Sequence, residues 1–66
     1  MARLPKGERE ERSRRIFRLL QRHRFGLKES EIAEETGLHR RVVNNYLREL
    51  RRKRKARKKG RYWFSE

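Results

Sequence analysis

Six side chains within a thirteen-residue stretch carry the distinctive chemistry of this sequence: Arg40, Arg41, Asn44, Asn45, Arg48 and Arg52. A guanidinium presents several donors in a fixed fork, and a carboxamide offers a donor beside an acceptor. Arginine can bond guanine O6 and N7 together, and asparagine can bond adenine N6 and N7. The same arginines can hold phosphate oxygens. Between them Val43, Tyr46, Leu47 and Leu50 recur at helical spacing, so the polar and apolar sets fall on opposite sides of one helix. Asparagine is a mediocre helix former, and nothing structural calls for two in mid-helix. Asn44 and Asn45 are therefore expected to read bases, against the plainer alternative of tolerated exposed polars. For Arg41 and Arg48 a guanine contact and a phosphate contact fit equally well.

Several elements must position that face. Glu8 to about His23 reads as a first helix, with Ile16, Phe17, Leu20 and His23 three or four residues apart and Glu8, Glu10 and Glu11 near its positive end. Phe25-Gly26-Leu27-Lys28 is a connector, with Gly26 ending that helix. A second helix opens at Glu29 or Ser30 and runs to Thr36. With Ser30 as its cap, the usual carboxylate partner three residues on is missing, because Ala33 stands there. Gly37 suits a left-handed terminus, and Leu38 plugs the turn. The third helix covers 39–52, roughly 20 Å long. His39 opens it where serine or threonine would cap better, at a cost of about 1 kcal/mol.

Eight of the nine residues from Arg51 to Lys59 are Lys or Arg, which by composition alone suggests a solvated tail. The run Tyr62-Trp63-Phe64 has high strand propensity and no place in such a tail. Strands at 54–57 and 61–64 with a turn at Lys58-Lys59-Gly60 follow, the aromatics docking on the helices. Trp63 could stack on a base, but a domain this small needs it in the core. The fold class is thus mainly α with a small β-hairpin. Residues 1–7, with Pro5 and Gly7, form a flexible arm, and 8–66 form one domain.

Charge is partitioned rather than scattered. Of the net +13, residues 1–24 hold +6 and residues 25–38 hold −3, while residues 39–66 hold +10. A polyanion is drawn to the third helix and the hairpin, and repelled by Glu31, Glu34 and Glu35. A composition 47% charged and 32% hydrophobic approaches that of disordered chains, but the periodic apolar pattern argues for folding.

Other chemistries find little support. There is no cysteine and no aspartate, so thiol sites and Ser/His/Asp sets cannot be assembled. His23 and His39 have no partner ligand at a helical spacing that would hold a metal. No enzymatic activity, metal or cofactor is expected. There is no membrane-spanning run and no signal peptide, so the protein is expected to be intracellular, cytoplasmic with the nucleoid or nuclear.

The arrangement resembles the winged helix-turn-helix family over about residues 14–64. The residues that carry the likeness are Ile16, Phe17, Leu19 and Leu20, then Leu27. Ser30-Glu31-Ile32-Ala33 with Thr36-Gly37-Leu38 follows, then Arg40-Arg41 with Val43, Tyr46, Leu47 and Leu50, and Gly60-Arg61-Tyr62-Trp63. Two departures stand out: Arg54 where members usually have glycine, and Ala56 where a larger residue packs the first wing strand. The resemblance implies a three-helix bundle with a C-terminal wing that binds duplex DNA as a small transcriptional regulator or accessory factor. The third helix would enter the major groove, and the wing would lie on backbone or minor groove. By position, Arg40, Arg41, Asn44, Asn45 and Arg48 would read bases. His39, Arg52, Arg57, Lys58, Lys59 and Arg61 would grip the backbone. A monomer or weak homodimer is expected.

Alternatives from the sequence are an RNA-binding winged helix and the nucleic-acid-binding subunit of a larger complex. A narrower one is left-handed duplex: Arg41, Asn45 and Trp63 are loosely similar to the basic residue, asparagine and tryptophan of the Z-DNA-binding winged helices. Glu49 stands where that group has tyrosine, and the wing lacks its prolines. A protein-interaction winged helix fits the basic face poorly.

Overall fold

The computed structural model describes residues 6–66, with elements α1 (Lys6–Arg22), β1 (Leu27–Lys28), α2 (Glu29–Thr36), α3 (Arg40–Arg52), β2 (Ala56–Lys59) and β3 (Tyr62–Ser65). Residues 1–5 of the expected arm lie outside the described residues. Lys6 and Gly7 already belong to α1, which begins two residues before Glu8. The three helices enclose an apolar centre that the strands close from one side. Ile16 and Leu20 from α1, Ile32 from α2, and Val43, Tyr46, Leu47 and Leu50 from α3 meet Leu27, Ala56 and Trp63. No polar or charged residue is buried among the described residues, so their charges lie at the surface.

The connector holds more structure than its composition suggests. Leu27 and Lys28 form β1, pairing antiparallel with β3 at Leu27–Trp63 and Lys28–Tyr62. The wing is therefore a three-stranded sheet in the order β1-β3-β2 rather than a hairpin. Two residues are too few to show a period of two, which is why the sequence conceals this strand. The hairpin itself is shifted from the expected 54–57 and 61–64, and Gly60-Arg61 form its turn. Alternation then assigns the faces: Ala56, Lys58, Trp63 and Ser65 share the face toward the helices, and Arg57, Lys59, Tyr62 and Phe64 share the other. Of the three aromatics expected to dock, only Trp63 is buried. Tyr62 is 41% exposed and Phe64 half-buried.

Helix ends correct three further expectations. Gly26 does not terminate α1. It closes the turn beyond it, its N–H donating to the His23 carbonyl at 2.9 Å with φ at 89°. A Cβ there would sit 2.8 Å from the Phe64 ring, so both backbone and space require glycine. At the start of α2 the cap is Lys28 rather than Ser30, and the carboxylate judged missing is Glu31, which accepts from the Lys28 N–H at 2.8 Å. Lysine has no acceptor, so only this half of a capping box forms. His39 does cap α3, its Nδ1 accepting from the Arg41 N–H at 3.1 Å.

Arg54 resolves the missing glycine after the third helix. Its φ is 61°, the left-handed conformation a glycine would take. The Arg54 N–H donates to the Arg51 carbonyl at 3.0 Å and the Lys55 N–H to the Leu50 carbonyl at 2.9 Å, the two bonds of a Schellman motif. The backbone thus takes the geometry of a glycine with an unfavourable residue in it. Left-handed φ costs a non-glycine about 1–2 kcal/mol, part of which glycine's greater unfolded-state entropy takes back. Arg54→Gly should stabilise the domain by about 0.5–1 kcal/mol, raising the melting temperature by roughly 2–8 °C. Thermal denaturation followed by circular dichroism measures this, and a lower melting temperature would contradict the assigned backbone.

Candidate nucleic-acid interface

The turn between α2 and α3 fixes how the third helix is presented. Gly37, with φ at 73°, ends α2, its N–H donating to the Ala33 carbonyl at 2.9 Å. Thr36 Oγ1 donates to the Ile32 carbonyl at 2.8 Å and accepts from the Leu38 N–H at 3.3 Å. Leu38 packs half-buried against the core, and His39 then starts α3. Three residues therefore reverse the chain between two helices, with the Gly37 and Leu38 N–H groups satisfied locally.

On α3, the buried Val43, Tyr46, Leu47 and Leu50 define the inward side. Arg41, Asn45, Arg48 and Arg52, spaced four, three and four residues apart, line up on the opposite side and are all exposed. No carboxylate interrupts that line. Glu49 lies toward α1, where it meets Arg9 at 3.6 Å and Lys53 at 3.4 Å. These are surface pairs of small energetic weight, but they keep the acid away from the basic stripe.

Asn44 is placed differently from Asn45. It is half-buried, and its Nδ2 donates to Glu29 Oε2 at 3.0 Å, linking α3 to the first residue of α2. Its carboxamide is engaged within the fold, whereas Asn45 is exposed and belongs to the outward line. Two adjacent residues of a helix point about 100° apart, so one can serve the structure while the other faces solvent. Glu29 was not legible as a partner because fifteen positions separate the two residues. Arg40 flanks the same edge, facing an open cleft bordered by Lys28, Ser30, Lys58 and Arg61.

The remaining residues of the expected set are all exposed. His39 Nδ1 accepts from the Arg41 N–H, which leaves Nε2 facing outward beside the start of α3. Arg57 lies 5.5 Å from the Phe64 ring centre and 3.8 Å from Glu66, and Lys58 lies 5.6 Å from the Trp63 ring centre. Lys59 and Arg61 flank the hairpin tip. Trp63 is 2% exposed, which removes the tryptophan on which the left-handed-duplex reading rested. Among the described residues no cluster of His, Cys, Asp or Glu could hold a metal ion, and no helix is long and apolar enough to cross a membrane.

Three helices, a three-residue turn between the last two, and a basic hairpin closing the core define a winged helix-turn-helix domain. A family model described as an HTH domain matches residues 12–58, and the chain belongs to this family of DNA-binding helix-turn-helix domains. No curated protein and no solved structure matches the chain.

The two asparagines should separate experimentally. A half-buried hydrogen bond to a carboxylate is worth about 1 kcal/mol here, after allowance for solvent. Asn44→Ala should lower the melting temperature by roughly 4–8 °C, while Asn45→Ala should leave it within about 2 °C. Differential scanning calorimetry of the free proteins reads this, and equal melting temperatures would remove the structural role of Asn44.

Proposed function

We propose that the domain binds duplex DNA with α3 in the major groove and the wing on adjacent backbone or minor groove, as a small transcriptional regulator or accessory factor. The observation that carries this reading is the exposed, acid-free line Arg41-Asn45-Arg48-Arg52 on the helix that follows the turn. Arg41, Asn45 and Arg48 read base edges, and Arg40 reaches the same groove from the flank. Asn44 orients α3 through Glu29 rather than touching a base. His39, Arg52, Arg57, Lys58, Lys59 and Arg61 hold phosphates. A major groove about 12 Å wide admits a helix of this kind, whereas the major groove of duplex RNA is too deep and narrow for side chains to read. DNA is the preferred duplex on that ground.

About six phosphate contacts imply a steep salt dependence, close to a 10³-fold loss of affinity between 50 and 200 mM salt. Sequence selection from a random duplex pool would supply the preferred site. On that site, Asn45→Ala should flatten the preference over random duplex by about tenfold. Lys59→Ala should weaken all duplexes alike and reduce the salt slope by about one. Fluorescence anisotropy across a salt series measures both. Identical behaviour of the two variants would dissolve the division into readers and anchors.

A further inference from the structure

The outer face of the wing sheet carries two aromatic rings that groove binding does not use, flanked by cations of which Arg57 and Lys59 also serve the duplex backbone. Tyr62 and Phe64 stand two residues apart on the central strand β3, so their side chains project from the same face about 7 Å apart. Cations flank them on both edges. Lys28 on β1 and Lys59 on β2 pair with Tyr62, and Arg57 on β2 pairs with Phe64. The Lys28 ammonium is 5.7 Å from the Tyr62 ring centre and the Arg57 guanidinium 5.5 Å from that of Phe64. Opposite Arg57, the neighbour of Phe64 is Gly26, whose missing side chain lets the ring lie over the turn just before β1. Phe25, one residue earlier in the turn, is 94% exposed.

Tyr62 is 41% exposed and Phe64 half-buried, and side by side they form one apolar strip that another molecule can cover. A second copy of this chain is excluded as the cover by charge: each copy carries +13, and the patch itself is rimmed by cations. The occupant must be anionic along its length and must offer flat apolar faces at intervals. Single-stranded nucleic acid has both, with phosphates for the flanking cations and unpaired bases to stack on the rings. Between the two nucleic acids, DNA is the choice because the matched family binds DNA. We propose that the outer face of the wing sheet, Tyr62 and Phe64 between Lys28, Lys59 and Arg57, is a second binding site, for single-stranded DNA. Two successive bases stack on the two rings while the strand runs along β3. The two rings lie off the α3 stripe, while Arg57 and Lys59 are shared with the duplex backbone contacts, so the rings are what sets this site apart.

The test uses fluorescein-labelled oligo(dT) of about twelve nucleotides beside an abasic strand of equal length, near physiological salt. The double variant Tyr62→Leu/Phe64→Leu keeps apolar bulk over Gly26 and removes both π faces. It should bind oligo(dT) at least tenfold more weakly than the unaltered protein and leave the abasic strand and duplex DNA unaffected. Tyr62→Leu alone, at an exposed position, serves if the double variant unfolds by circular dichroism, and should lose about fivefold. Arg41→Ala should weaken duplex and spare oligo(dT). Wild-type affinity of the ring variants for oligo(dT), or an equal loss on the abasic strand, would overturn the proposal, and tighter binding of oligo(rU) would overturn its assignment to DNA. Unchanged duplex binding by Arg41→Ala, with the oligo(dT) pattern of the ring variants intact, would refute the major-groove reading and leave this site standing.

Discussion

Burial of Trp63 is the contact on which the rest of the domain hangs. It sits on the central strand of the sheet, paired with Leu27 on one side and Lys58 on the other, and its indole closes the helical core. A domain of this size has a total stability of about 3–10 kcal/mol, and deleting a buried aromatic costs about 3–5 kcal/mol. One side chain from the C-terminal strand is therefore comparable in weight to the whole margin. It ties the connector after α1, the hairpin and the third helix into one unit, so the wing is part of the core and not an appendage.

An entirely apolar interior has a consequence for function. With no charge inside, the cations of α3 and the wing remain solvated and available, and their mutual repulsion is left for a polyanion to relieve. The few internal polar contacts are placed at joints. Glu29 with Asn44 links α2 to α3, Glu31 caps α2, and Thr36 secures the turn. Each holds the angle at which the basic stripe is presented. The cationic edge strand β2 also resists pairing with another sheet, since like charges would meet along its length.

The three-helix core, the turn at Gly37 and the inward side of α3 were legible because helical periodicity writes burial into the order of residues. Val43, Tyr46, Leu47 and Leu50 could point only one way together. The wing was legible in kind, since Tyr62-Trp63-Phe64 has no reason to exist in a tail, but its register was not. Sliding a strand by one residue exchanges the aromatics that face inward, and only packing against the helices selects Trp63. The strand at Leu27 and Lys28 escaped notice because a pair of residues has no period.

What the sequence alone determined was the partition of charge and the amphipathic order of α3, since both depend on neighbours along the chain. What the tertiary structure decided was every pairing across distance: Asn44 drawn to Glu29, Glu31 to the cap of α2, Phe64 over Gly26, and Arg54 held left-handed after α3. Contacts between residues far apart in the chain form only when the core brings their elements together. A carboxamide at one position and its neighbour at the next can therefore share a composition and differ in purpose.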